Sequence, residues 1–290
     1  MPELPEVETT VRYLRKKVKG RTFFDVWSDW KKIIKKPKSF NNFKKIIKGK
    51  KILNVRRRAK NILFDLSEGK TLLVHQKMTG HLLVGRWKKE NGNWQPPPGP
   101  LSDKNNSYIH LMFTFENGLM MSLSDLRKFA KVELWDSDKL KESGGMKDLG
   151  PEPLEKDFTF AKFKKALEGQ TRKIKQVLMD SFVIAGIGNI YSDEILWEAK
   201  VHPLKKTSEL SEGELKKIYK AVRKILPLAI KLQGESFSDY RTPSGEKGGY
   251  DDERKVYQRE GEECSRCGGK IKRIKVGGRS AHFCPKCQKL

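Results

Sequence analysis

Apolar positions in the first twenty residues lie on one helical face: Val7, Val11, Leu14 and Val18 recur at spacings of four, three and four, and Gly20 follows where a helix ends. A helix from Leu4 to Gly20 would bury that face and fix the residues before it. The period then shortens to two. Strands are predicted over 61–66, 71–75, 80–85, 108–115, 119–123 and 131–135, with Ile109, Leu111, Phe113 and Phe115 sharing a face and Asn117-Gly118 turning into Leu119. Many short antiparallel strands imply a sandwich or barrel. After Gly150-Pro151-Glu152-Pro153 the pattern turns helical, over 157–168, 171–181, 189–200 and 211–233. Ser211 and Glu214 form a capping box, and Pro227 should kink the last helix. Residues 86–107, with three successive prolines, and 234–262, rich in Gly, Ser and charge, read as exposed mobile loops. The pattern is that of an α+β multidomain protein.

Composition narrows the partners. A chain of 290 residues, 37% hydrophobic, is long enough for two domains with their own cores. Its 61 Lys+Arg against 36 Asp+Glu give a net charge of +25, which favours a polyanion, and nucleic acid leads. No apolar run suits a membrane span and no signal-peptide core begins the chain, so a soluble, intracellular protein is expected. Residues 31–60 hold fourteen Lys/Arg and no Asp/Glu. A solvated basic face accounts for most of them. Lys60 differs, because it follows Arg56-Arg57-Arg58-Ala59 and opens a strand that can aim it at a phosphate.

Cys264-x-x-Cys267 and Cys284-x-x-Cys287 are sixteen residues apart, the pattern of one tetrahedral, structural zinc site, favoured over a redox pair because there are two such motifs. From Cys264 onward there are eight Lys/Arg and no acid, and Arg279 in the turn Gly277-Gly278-Arg279 is the side chain expected to reach a phosphate or DNA. At the other end, removal of Met1 would make Pro2 a terminal secondary amine beside the Glu3 carboxylate. An α-amino group titrates near pH 8, so such an amine is a nucleophile at neutral pH, although Pro2 and Pro5 also suit a plain helix start. His75-Gln76-Lys77-Met78-Thr79-Gly80 and Asp125-Leu126-Arg127-Lys128-Phe129 place Met78 and Phe129 beside basic residues, as core side chains or as wedges that enter a base stack. Ile184-Ala185-Gly186-Ile187-Gly188-Asn189-Ile190-Tyr191 lacks the third glycine of a dinucleotide fingerprint. It reads as a helix, two tight turns and a helix, whose amides and Asn189 can bind a phosphate or merely turn the chain.

Together, the Pro2-Glu3-Leu4-Pro5-Glu6-Val7-Glu8-Thr9 start, Arg57-Arg58-Ala59-Lys60, the Met78 loop, Leu149-Gly150-Pro151-Glu152-Pro153-Leu154, Gly186 to Tyr191 and the four-cysteine finger resemble the Fpg/Nei family of DNA glycosylases, on its formamidopyrimidine-DNA glycosylase branch, along essentially the whole chain. The resemblance implies an N-terminal antiparallel β-sandwich with an N-terminal helix (1–150), a helix-two-turn-helix domain (151–235), a mobile lesion-capping loop (236–255) and a zinc-finger β-hairpin (256–290), with one structural Zn2+. It implies a monomer acting on double-stranded DNA held in a cleft, intracellular and nucleoid-associated. It further implies that Pro2 attacks C1′ of a flipped oxidised purine nucleotide and that Glu3 moves the protons of β,δ-elimination. Glu6 would support the site, and Lys60, His75, Asn189 and Arg279 would grip phosphates, with Tyr191 in the Asn189 motif. Met78, Arg127 and Phe129 would fill the gap left by the base, and Tyr240 and Thr242 would belong to the capping loop. Gln76 stands where the family commonly has leucine, Ala130 where glycine is common, and residues 86–107 look longer than usual. An endonuclease VIII-like enzyme for oxidised pyrimidines and a non-catalytic DNA-binding protein are the alternatives; Glu3-Leu4-Pro5-Glu6, where that branch commonly has glycine second, favours purines.

Overall fold

In the computed structural model, residues 1–236 and 239–290 are described; Phe237 and Ser238 of the expected capping loop lie outside them. The chain forms two compact units, one of Met1–Lys147 with Leu232–Asp251 and one of Asp148–Lys231 with Asp252–Leu290. This differs from the boundaries expected at 150, 235 and 255. Residues 232–251 return to the first unit, and the finger shares a unit with the helical segment.

In the first unit, α1 (Leu4–Val18) carries the predicted stripe, and Val7, Val11, Leu14 and Val18 are all fully buried. Each contributes about 1.5–3 kcal/mol by leaving water, which fixes the chain start. Then come β1 (Phe23–Trp27), β2 (Ile34–Lys36), α2 (Phe40–Ile47), β3 (Ile52–Arg58), β4 (Asn61–Leu66), β5 (Lys70–His75), β6 (His81–Gly85), β7 (Lys88–Glu90), β8 (Asn93–Gln95), β9 (Ile109–Phe115), β10 (Met120–Ser124), β11 (Lys131–Asp136), α3 (Ser137–Glu142) and α4 (Gly144–Lys147). A four-stranded sheet, β1-β9-β10-β6, and a five-stranded sheet, β2-β11-β5-β4-β3, share one core with α1 and α2. The sandwich is not wholly antiparallel, since β2 runs parallel to β11. β2, α2 and β3 lay hidden in the basic region, where lysines and arginines interrupt the apolar positions, and β1, just before it, was also missed.

Two expectations fail here for identifiable reasons. Ile109 leaves the face of Leu111, Phe113 and Phe115 and packs with Leu83, Trp87 and Met112, because the register passes from Leu123↔Leu111 to Ser124↔Ile109 and His110 is the extra residue of a β-bulge. Residues 86–107 are not a simple exposed loop: they hold the β7–β8 hairpin, a buried Trp87 and a buried Asn106. Asn106 donates to Pro100 O at 2.9 Å and Gly245 O at 3.2 Å and meets His81 Nε2 at 2.9 Å.

The second unit contains α5 (Phe160–Leu167), α6 (Ile174–Met179), α7 (Asn189–Ala199), α8 (Glu212–Lys231) and the antiparallel hairpin β12 (Lys272–Val276) and β13 (Arg279–Phe283). The capping box is present: Glu214 N–H donates to Ser211 Oγ at 3.2 Å and Ser211 N–H to Glu214 Oε2 at 2.9 Å. α8 runs through Pro227 as one element. Gly277 and Gly278, both at positive φ, form the two-residue turn of the hairpin, a conformation that suits its twist.

Candidate functional site

Helix α1 begins at an interlocked pair of carboxylates. Glu3 is the N-cap, its side chain accepting from the Glu6 backbone, while Glu3 N–H donates to Glu6 Oε2 at 2.7 Å. Both residues are buried. The other Glu6 oxygen accepts Glu235 N–H at 2.9 Å, and Tyr240 OH donates to Glu6 O at 3.2 Å. Gly234 must be glycine twice over: its φ is +85°, and a Cβ would lie 2.8 Å from Glu6 Oε1. The result is a small cavity lined by Met1, Pro2, Glu6, Met78, Thr79, Gly80, Glu235 and Tyr240, with Pro2 buried on its wall. The sequence reading missed Gly234 and Glu235. A Gly followed by an acid carries no periodic signal, and its partner lies more than two hundred residues away.

The segment expected to be a mobile lid is held down. Val84 N–H donates to Pro243 O at 2.8 Å, Arg241 Nε pairs with Asp103 Oδ2 at 3.3 Å, and Thr242 Oγ1 meets Ser244 Oγ at 2.9 Å. Tyr240 and Thr242 are accordingly buried, and burial pushes the Tyr240 phenol well above its ordinary range. Its polar composition suggested an exposed loop, but the buried Arg241 is paired with the partly exposed Asp103.

Lys60 sits in the turn between β3 and β4 after Ala59, whose φ is +50°. Arg57 supports that turn by donating to Ala59 O at 3.0 Å and pairing with Glu8 at 2.9 Å. Burial raises the Glu8 pKa, but the Arg57 and Arg12 guanidiniums outweigh it and hold the carboxyl below its usual range. His75 ends β5, and its Nδ1 accepts Lys77 N–H at 3.0 Å, which leaves Nε2 as the donor of a neutral ring. Burial, then the charges of Lys77, Lys131 and Lys60, lower its pKa to about 3. Lys60 and His75 therefore belong to one basic cluster.

Two loops meet on Asp125. Its fully buried carboxylate accepts the Thr79 hydroxyl and Ala130 N–H at 2.7 Å, and Thr79 Oγ1 in turn accepts Arg127 N–H at 3.0 Å. Lys77 and Lys128 take positive φ to make these turns. Neither side chain is core: Met78 is 36% and Phe129 53% exposed, and the Arg127 guanidinium lies 4.7 Å from the Phe129 ring centroid. Gln76 is buried with neither amide atom hydrogen-bonded among the described residues, a polar group in a position of leucine-like burial. Ala130 is buried against the space beside Gly80.

In the second unit, Asn189 opens α7 and its Nδ2 donates to Ser280 Oγ at 3.3 Å. Tyr191, two residues on, is fully buried, so its side chain is part of the interior and does not face a partner. Arg279 is exposed at the start of β13. Sequence reading missed the supports beneath them. Lys175, fully buried, pairs with Asp193 at 2.5 Å and donates to Asn189 O at 3.3 Å; the other Asp193 oxygen accepts His282 N–H at 2.9 Å and meets His282 Nδ1 at 3.2 Å. Glu194 accepts the backbone N–H groups of Lys255, Val256 and Tyr257 at 2.8–3.0 Å. Burial nonetheless raises its pKa.

The four cysteine sulfurs converge within 4.8 Å of one another, with Cys267 at 3.4 Å from Cys284 and 3.3 Å from Cys287. Sulfurs about 2.3 Å from a central zinc stand about 3.8 Å apart in a tetrahedron, so the set fits one structural ion with no open position. Burial and the neighbouring sulfurs push Cys287 up to about 12. At Cys264, by contrast, burial is outweighed by hydrogen bonds from Trp197 and from backbone N–H groups, and the thiol is lowered to about 6. His282 hydrogen-bonds Asp193 and is not among the ligands.

Comparison with known proteins agrees with this geometry. The formamidopyrimidine-DNA glycosylase N-terminal domain matches residues 1–132, the formamidopyrimidine-DNA glycosylase H2TH domain residues 149–241, and the zinc finger found in FPG and IleRS residues 261–290. Formamidopyrimidine-DNA glycosylases of Pelotomaculum thermopropionicum and Carboxydothermus hydrogenoformans are 40% and 39% identical, each aligned over 100% of both chains. Two solved complexes of Lactococcus lactis Fpg, with abasic-site DNA and with Fapy-dG DNA, superpose with TM-score 0.86 at 35% identity, covering 100% and 99% of this chain and all of theirs. With three domain matches in order and full-length relatives, this chain belongs to the formamidopyrimidine-DNA glycosylase family.

Proposed function

We propose that the protein is a bifunctional base-excision-repair glycosylase and abasic-site lyase acting on oxidised purines, 8-oxoguanine and formamidopyrimidines, in double-stranded DNA. The observation that carries the reading is the wall of the small cavity, which the buried Pro2 shares with Met1, Glu6 and Met78. Loss of Met1 exposes the ring nitrogen. That nitrogen attacks C1′ as the glycosidic bond breaks and the base departs with the bonding pair; the amine then sheds its proton and the C1′–O4′ bond opens, its electrons and a proton going to O4′, which leaves an iminium. The cation acidifies the C2′–H, Glu3 takes that proton, and successive β- and δ-eliminations release the two phosphates. Glu6 acts through position, holding the start of α1 and residues 234–240 together.

Lys60 and His75 in the first unit, and Asn189 and Arg279 in the second, are assigned to phosphates. The neutral His75 offers a single Nε2–H donor, whereas Lys60 and Arg279 supply full charge. Met78, Arg127 and Phe129 are assigned to the gap left by the extruded nucleotide, whose flipping costs a few kcal/mol; Arg127 faces the orphaned base. Tyr240 and Thr242 shape the edge of the cavity from buried positions, and the buried Tyr191 contributes to the Asn189 turn. The zinc holds the finger hairpin in shape. An enzyme of this kind works where DNA is, so an intracellular, nucleoid-associated monomer is the proposed setting. Among the described residues no helix is long and apolar enough to cross a membrane.

Borohydride trapping on a duplex containing 8-oxoguanine tests the chemistry. A covalent complex is expected, weakened at least about 10²-fold in rate by Pro2→Gly, the lower end of what a positioned catalytic group contributes. Undiminished trapping by protein that fully retains Met1 overturns Pro2 as nucleophile.

A further inference from the structure

The fourteen basic residues of 31–60 are not all accounted for by solvation. Ile33 and Ile34 are buried, which turns Lys31, Lys32 and Lys35 outward around β2. The Lys32 ammonium lies 5.4 Å from the centroid of the Trp30 ring, and the Lys128 ammonium lies 5.0 Å from the same ring. Two cations thus converge on one indole. Lys31 stands 5.9 Å from the Phe40 ring in the same way. Among the described residues, none of Lys31, Lys32, Lys35 and Lys128 has an ion-pair partner. The nearest acid in sequence, Asp29, is engaged by His110 Nδ1 at 2.9 Å. Like charges held together without a counter-ion are relieved by an anion, and a row of them along an open surface suits a chain of phosphates better than one small ion. The position matters: Lys128 stands between Arg127 and Phe129, so the row begins where the exposed wedge loop ends.

We propose that Trp30, Lys32 and Lys128, flanked by Lys31 and Lys35, form a second contact surface that takes the sugar–phosphate backbone of duplex DNA beyond the wedge. The inference rests on the reading of Arg127 and Phe129 as the wedge. Ammonium groups resting on aromatic rings keep their charge while losing side-chain freedom, so the surface is pre-set for a backbone of any sequence.

The full-length protein is titrated with a duplex carrying a reduced abasic analogue, which binds without turnover. With a duplex of about 30 bp, three helical turns of about 10 bp each, the triple substitution Lys31→Gln, Lys32→Gln, Lys35→Gln should flatten the log–log salt dependence of affinity by about 2–3, at about 0.9 per lost phosphate contact. The arginine triple should keep the original slope, and a duplex of about one turn should show no change. An unaltered slope on the long duplex, or the same loss on the short one, overturns the surface. Phe129→Ala separates the two readings: it should lower lesion-over-undamaged discrimination at constant slope. Intact discrimination would remove the wedge assignment while the slope still decides the surface.

Discussion

Each unit steadies outward-pointing residues on a buried aspartate, and the two aspartates are satisfied in different ways. In the first unit Asp125 holds the loops of Met78 and Phe129 through a hydroxyl and a backbone N–H, all neutral dipoles supplied by the two loops it joins. In the second, Asp193 faces a full lysine charge as well as the His282 amide and ring. The first arrangement is local and can flex with its loops. The second ties α6, α7 and the finger strand together through charges that have no access to water, so it tolerates far less.

The sharpest way to break that contrast is to remove one charge. Lys175→Met should destabilise the second unit by about 3–5 kcal/mol, because it leaves Asp193 buried without its partner. A double substitution with Asp193→Leu should recover much of that loss. Thermal unfolding of the full chain checks both, and equal losses in single and double variants would show that the pair is not coupled. Asp125→Ala should cost less, about 1–3 kcal/mol, since it strands a hydroxyl and an amide but no charge. Its larger effect should be functional, with lesion discrimination reduced while the salt slope of binding stays constant. The effect of His75 is absent at neutral pH and grows only on acidification. Its folded pKa is depressed to about 3, so below pH 6.5 the unfolded chain binds a proton that the folded chain refuses. Stability from this group is lost as pH falls through the window from 6.5 to about 3, by at most about 1.4 kcal/mol per pH unit. NMR of the imidazole should show no titration above about pH 4 in free protein, and an upward shift when a phosphate is bound.

Much of the fold was legible because burial writes itself as periodicity. Val7 to Val18 on α1, the short apolar runs of β4 and β5, and the Ser211–Glu214 cap each show themselves locally. The cysteine spacing did the same for the finger. What could not be read were contacts made by single residues across long separations. Glu6 with Gly234 and Glu235, Arg241 with Asp103, and Lys175 with Asp193 follow no period, and their polar side chains look like surface. The contacts of the loops expected from composition were hidden for the same reason, since Arg241 with Asp103 and Val84 with the Pro243 carbonyl join residues far apart in sequence. The bulge at His110 was equally invisible, because an inserted residue flips a strand face without altering its composition.

The bond from Val84 to the Pro243 carbonyl reaches beyond loop order. β6 is the last strand of its sheet, and an uncovered rim of this sort is where a second molecule can add itself by strand pairing. Proline itself has no N–H to give, so the segment that shields the rim accepts a hydrogen bond without presenting a fresh donor at that position. The stretch that runs on from Tyr240 at the cavity therefore covers that rim at one position, and substitutions there should be watched for aggregation as well as for lost repair.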